Sequence, residues 1–222
     1  MDARRKEPWI ATLGLAAALS GGCGAPGTGG LKAGARAGAA GARKVQDALG
    51  TEGPAEGVEI RVSFAEASEV QHWNAVDDVV MGGVSSSSLS ASGAGTAVFA
   101  GEVRLENRGG FASVRSKPRE WSLGGARGIA LRVRGDGKTY KLNARTDDAF
   151  DGVTWQSAFE TSAGEWQTVH VAFEELEPRW RGRLVSDAAG LLPEQIRTLG
   201  LLISDGQAGP FRLELKWIAA WR

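Results

Sequence analysis

From residue 58 onward, large apolar side chains alternate with polar ones. Phe211, Leu213, Leu215 and Trp217 are interleaved with Arg212, Glu214 and Lys216. Ile129, Leu131 and Val133 alternate with Ala130, Arg132 and Arg134, and Tyr140, Leu142 and Ala144 with Lys141, Asn143 and Arg145. A period of two sends successive side chains to opposite faces of a strand, so each run is a strand with one buried face. Between the last two runs, Asp136-Gly137 supplies the positive φ angles of a tight hairpin, which predicts that these strands pair antiparallel. Further strands are expected over 59–64, 86–90, 96–102, 110–116, 154–161, 166–173 and 198–204, punctuated by Gly93, Gly109-Gly110, Gly124-Gly125 and Gly164. Helical periodicity is scarce, with one short turn expected at Pro193 to Ile196. About ten short strands at this spacing predict an all-β, antiparallel sandwich or barrel over 58–222.

Residues before 58 follow other rules. Arg4, Arg5 and Lys6 precede an apolar run from Ile10 to Leu19, then Ser20-Gly21-Gly22 and Cys23. A basic start, a short apolar run and small residues make the pattern of an export signal over 1–23. The run falls short of the roughly 20 residues that span a bilayer. Cys23 stands where a bacterial lipoprotein carries its acylated thiol, although Leu19 sits one position further from it than usual. The expectation is an exported lipoprotein of a bacterial cell membrane or outer membrane, held by a lipid anchor alone. Residues 24–57 are rich in Gly and Ala with few large apolar side chains, and read as a flexible tether.

Composition narrows the function. Lys+Arg and Asp+Glu both total 26, so nothing in the charge argues for a nucleic-acid partner. The lone cysteine permits no internal disulfide, and the folded part rests on its apolar core. A domain of roughly 165 residues is large enough for that. The expected state is a monomer without a cofactor.

The chemistry-bearing candidates are few. Gly82-Gly83 permits a sharp turn, but no helix N-terminus and Lys follow to make a phosphate loop. Asp77-Asp78 and Asp147-Asp148…Asp151 could take a cation, or cap backbone N–H groups. Asp77, Asp78, Asp147 and Asp205 could pair as glycoside-hydrolysing carboxylates if one cleft joined them. No nucleophile motif and no metal-ligand spacing is present. Trp121, Trp155 and Trp180 fall in or near loops, where a ring can stack on a sugar or anchor a protein.

Several blocks then speak together. Trp73…Asp78-Val79-Val80-Met81-Gly82-Gly83-Val84-Ser85 is followed by Gly101-Glu102-Val103-Arg104-Leu105-Glu106-Asn107 and Gly109-Gly110-Phe111-Ala112-Ser113-Val114-Arg115. Leu131 to Lys138, Tyr140, Arg145-Thr146 and Gly200 to Phe211 continue the series. In this order they resemble the complex I intermediate-associated protein 30 family over about residues 64 to 218. The resemblance implies a galactose-binding-domain-like jelly-roll sandwich. It also implies an assembly role exercised by binding proteins, since mitochondrial members are assembly factors for respiratory complex I. The same architecture serves carbohydrate-binding modules. The leading expectation is therefore a non-catalytic, exported, membrane-tethered module that binds a protein partner and aids assembly of a membrane complex. Carbohydrate binding is the second reading, and a paired-Asp glycoside hydrolase the third. The binding surface is expected from Trp73, Asp78, Met81, Arg145, Trp155, Gln156, Asp205 and Gln207, at strand ends and loops.

Overall fold

The structure is a computed structural model that describes residues 44–45, 55–149 and 151–222. The export signal, Cys23 and all of the tether but Lys44–Val45 and 55–57 lie outside the described residues. The strands are β1 (Lys44–Val45), β2 (Val58–Ser63), β3 (Trp73–Ala75), β4 (Ser86–Ala91), β5 (Ala97–Val103), β6 (Ala112–Ser116) and β7 (Gly128–Arg134). They continue as β8 (Thr139–Arg145), β9 (Thr154–Glu160), β10 (Trp166–Ala172), β11 (Glu177–Trp180), β12 (Arg183–Leu184), β13 (Thr198–Ile203) and β14 (Gly209–Trp221). Short 3-10 turns are the only helical elements among the described residues.

Two antiparallel sheets form a galactose-binding-domain-like sandwich. The first runs β1-β10-β7-β14-β5-β4, with β2 also paired to β14. The second runs β12-β11-β9-β8-β13-β6-β3. Every strand expected from alternation is present. β3, β11 and β12 were missed because they are short and carry little alternation. β1 lies inside the stretch read as a tether and pairs with the edge of β10.

Alternation decides what fills the space between the sheets. Phe99, Leu131, Leu213 and Leu215 face inward from the first sheet, and Tyr140, Leu142, Phe159 and Leu201 from the second. At the centre Phe99 meets Phe211 edge-on at 4.8 Å, and Tyr140 stacks on Phe159 at 6.2 Å. Such pairs add about 1 kcal/mol beyond the area they bury.

The expected hairpin between the runs at 129–133 and 140–144 is not formed. β7 pairs with β10 and β14, whereas β8 pairs with β9 and β13, so the chain crosses from one sheet to the other between them. Asp136 shapes the crossing. One carboxylate oxygen accepts from Lys138 N–H (3.1 Å) and the Tyr140 hydroxyl (3.0 Å), and the other from Arg212 N–H in the first sheet (2.9 Å). Gly137 has the positive φ (90°) that the motif promised, but it serves a sheet-to-sheet crossing. Turn chemistry specifies a reversal, and burial of both inner faces then decides which neighbour each strand takes.

Candidate functional site: a groove on the second sheet

The outward face of the second sheet forms a groove of about 720 Å³. Its floor follows from strand register. Arg115 of β6 lies opposite Gly200 of β13, Gly200 opposite Asn143 of β8, and Asn143 opposite Gln156 of β9. Gln156 Nε2 donates to Asn143 Oδ1 at 2.8 Å, which fixes both amides on the floor. Glycine at 200 keeps the middle of that row low; a Cβ there would stand 2.8 Å from the Val114 carbonyl. Adjacent rows bring in Lys141 and Leu202, then Arg145 and Thr154.

One wall is made by the loops before β4 and before β6, and Asp78 joins them. Its carboxylate accepts from Ser85 N–H (2.9 Å), the Ser85 hydroxyl (2.6 Å), Gly110 N–H (2.7 Å) and Phe111 N–H (3.3 Å). Burial pushes the Asp78 carboxyl up, but these hydrogen bonds outweigh it and hold the group below its ordinary value. Gly83 and Gly109 let the loops close on it, since a Cβ at either would lie 2.3 or 2.5 Å from the Asp78 side chain. Asp77 makes a second clip, accepting from Ser87 N–H of β4 and Ser113 N–H of β6, one in each sheet. Held by this latch, Val80 and Met81 stand 56% and 61% exposed along the groove.

The opposite wall is the β11–β12 hairpin and the loop before β9. Arg181 and Gly182 turn the hairpin with φ of 48° and 78°, a two-residue turn of the primed type. Arg181 pairs with Asp151 at 2.5 Å, an interaction that holds the Asp151 carboxyl below its usual range. Arg179 pairs with Glu177 at 2.6 Å.

The buried Arg145 donates to Asp147 at 3.0 Å, and Gly152 makes room for this pair, as a Cβ there would lie 2.5 Å from Arg145 Nη2. Lys141 pairs with Asp205 at 2.7 Å; burial raises the Asp205 carboxyl, and the lysine more than offsets it. Burial, then repulsion from Arg145, lowers the proton affinity of the Arg115 guanidinium. Six cationic side chains line the groove against three carboxylates, Asp78, Asp151 and Asp205.

Of the residues singled out in the sequence, Asp78, Met81, Arg145, Gln156 and Asp205 line this groove. The other three do not. Trp73 is buried beside Phe64, with Nε1 donating to Glu69. Trp155 packs against the core, because it neighbours Gln156 on β9 and the strand period turns it to the other face. Gln207 clamps its own turn, donating to the Thr139 and Ser204 carbonyls and accepting from Thr139 N–H. Trp121 is core as well, at 2% exposure. Arg108, Arg115, Lys141, Asn143, Arg179 and Arg181 were missed. For Lys141 and Asn143 the signal was present as the polar half of β8's alternation. The acidic loop offered as a cation site spends its carboxylates on arginines, Asp147 on Arg145, Asp148 on Arg197 and Asp151 on Arg181. Among the described residues no three His, Cys, Asp or Glu side chains are grouped to hold a metal ion.

The sequence model of the family described as Complex I intermediate-associated protein 30 (CIA30) matches residues 62–215. The chain belongs to that family. It is 27% identical over 181 residues to the mitochondrial Complex I intermediate-associated protein 30 of Drosophila melanogaster, covering 70% of this chain and 60% of that one. The Neurospora crassa protein of the same name is 24% identical over 132 residues, covering 52% and 48%. The chain thus spans about half to three fifths of these relatives' length. In fold it is similar to the family 11 carbohydrate-binding module of a Clostridium thermocellum cellulase, with a TM-score of 0.55, 15% identity, and 76% and 97% of the two chains covered. That likeness is of fold alone. The relatives also overturn one expectation. They are mitochondrial proteins of eukaryotes, which conflicts with placing this chain as a lipoprotein on a bacterial cell or outer membrane.

Proposed function

We propose that this chain is a non-catalytic binding module that holds a protein partner in its groove during assembly of complex I. The supporting observation is one of extent. The family match runs from 62 to 215, and the groove's lining lies wholly within it, from Val76 to Asp205. The relatives so matched are named for association with a complex I intermediate. The groove offers hydrogen-bonding and cationic groups carried on rigid strands, an arrangement suited to holding a ligand in place. Its carboxylates are engaged, Asp78 with four donors, Asp205 with Lys141 and Asp151 with Arg181, which argues against the paired-Asp hydrolase. The carbohydrate reading rests on shared fold, which does not carry function.

The test is affinity capture of the tagged full chain from detergent extracts of the cells that make it, followed by native electrophoresis and mass spectrometry. Complex I subunits in partial assemblies are the expected catch. A catch without them, together with unchanged complex I content when the chain is deleted, would refute the proposal.

A further inference from the structure

The groove's two walls differ in chemistry. We propose that it receives an acidic segment of the partner polypeptide, amphipathic in section; this rests on the binding-module reading above. On one wall Val80, Met81 and Phe111 offer apolar surface, and on the other Arg179 and Arg181 offer guanidinium forks. Between them the floor carries Arg115, Lys141, Asn143 and Gln156. A segment with apolar side chains along one flank and carboxylates along the other matches this cross-section.

The ion pairs of the groove favour the same occupant. Glu177, which holds Arg179, is not part of the groove's lining, so Arg179 presents guanidinium surface inward. Exposed pairs of this kind contribute little and open readily. A carboxylate brought by a partner finds the bidentate geometry that guanidinium matches best.

Backbone conformation fixes where two of the cations stand. Arg108 on the apolar wall and Arg181 on the cationic wall both adopt left-handed φ, 62° and 48°. A side chain there crowds the backbone, and glycine would relieve it. Asp205 of the same lining shares the conformation (62°), and the primed turn requires it of Arg181, so the backbone places these side chains without selecting their charge.

A short fluorescent peptide alternating Leu and Glu presents one apolar and one acidic flank when extended, and serves as the probe. The full chain is expected to bind it roughly tenfold or more tightly than the Leu–Gln counterpart, with affinity falling as salt rises. Arg108→Glu and Arg181→Glu, both exposed and so compatible with folding, should each weaken it by a similar factor. Arg212→Glu, on the outer face of the other sheet, should leave it unchanged. Equal binding of the Leu–Gln peptide would overturn the proposal. So would displacement of the peptide by oligogalacturonate at lower concentration, since that carries the same carboxylates on a sugar. The same variants are scored for capture of complex I subunits. Capture lost in the variants without a preference for Glu over Gln sinks the acidic partner alone; capture absent even with the unaltered chain, with complex I content unchanged when the chain is deleted, sinks the binding-module reading itself.

Discussion

Asp78 is the side chain on which the apolar wall depends. Its four donors come from Ser85, seven residues on, and from Gly110 and Phe111, more than thirty residues on. The sequence offered Asp78 as a cation ligand or a cap for backbone N–H groups. Only the fold could decide, because half the donors arrive from a distant loop. Asp78→Asn replaces an acceptor with a donor facing N–H groups, and should cost about 2–3 kcal/mol in urea unfolding at neutral pH. The pH dependence has a definite sign. The folded carboxyl sits below its ordinary value, so the unfolded chain takes up a proton first as pH falls. Stability from Asp78 is whole above about pH 4 and is lost as pH falls through the folded value. The gap between the wild type and Asp78→Asn should therefore narrow in acid, and a constant gap down to about pH 2 would contradict the assignment. Gly83→Ala tests the same latch from the backbone side. Its Cβ would meet a carboxylate that four bonds hold still, and a loss of about 1–3 kcal/mol is expected by the same measurement.

Strands carry the legible part of the molecule. Phe211, Leu213 and Leu215 of β14, and Tyr140, Leu142 and Ala144 of β8, are buried as their spacing requires. The same rule, applied to β9, separates two residues that were grouped as one surface. Trp155 and Gln156 are adjacent, so only one can face the groove. Trp155→Ala should lower stability by about 3 kcal/mol in chemical denaturation while leaving partner capture intact. Gln156→Ala should do the reverse, sparing stability and weakening capture. Pairing was less legible than alternation. Asp136-Gly137 gave the reversal between β7 and β8, but their partners lie elsewhere in the sequence, and local turn chemistry does not see them. The groove's cations were hidden for a related reason. Arg108, Arg115, Lys141 and Arg179 are scattered over some seventy residues of chain and come together only through the order of the second sheet.

At the scale of the whole molecule, one sheet completes the core and the other also presents a groove. The family match over 62–215 takes in both the sandwich and the groove's full lining. The central claim is that a complex I subunit lies in that groove. Site-specific photo-crosslinking tests it most directly, with a photoreactive residue at Gln156 on the groove floor or at Arg212 on the outer face of the other sheet. The account predicts crosslinks to complex I subunits from position 156 and none from 212. Crosslinks from 212 alone, or equally from both, would contradict it.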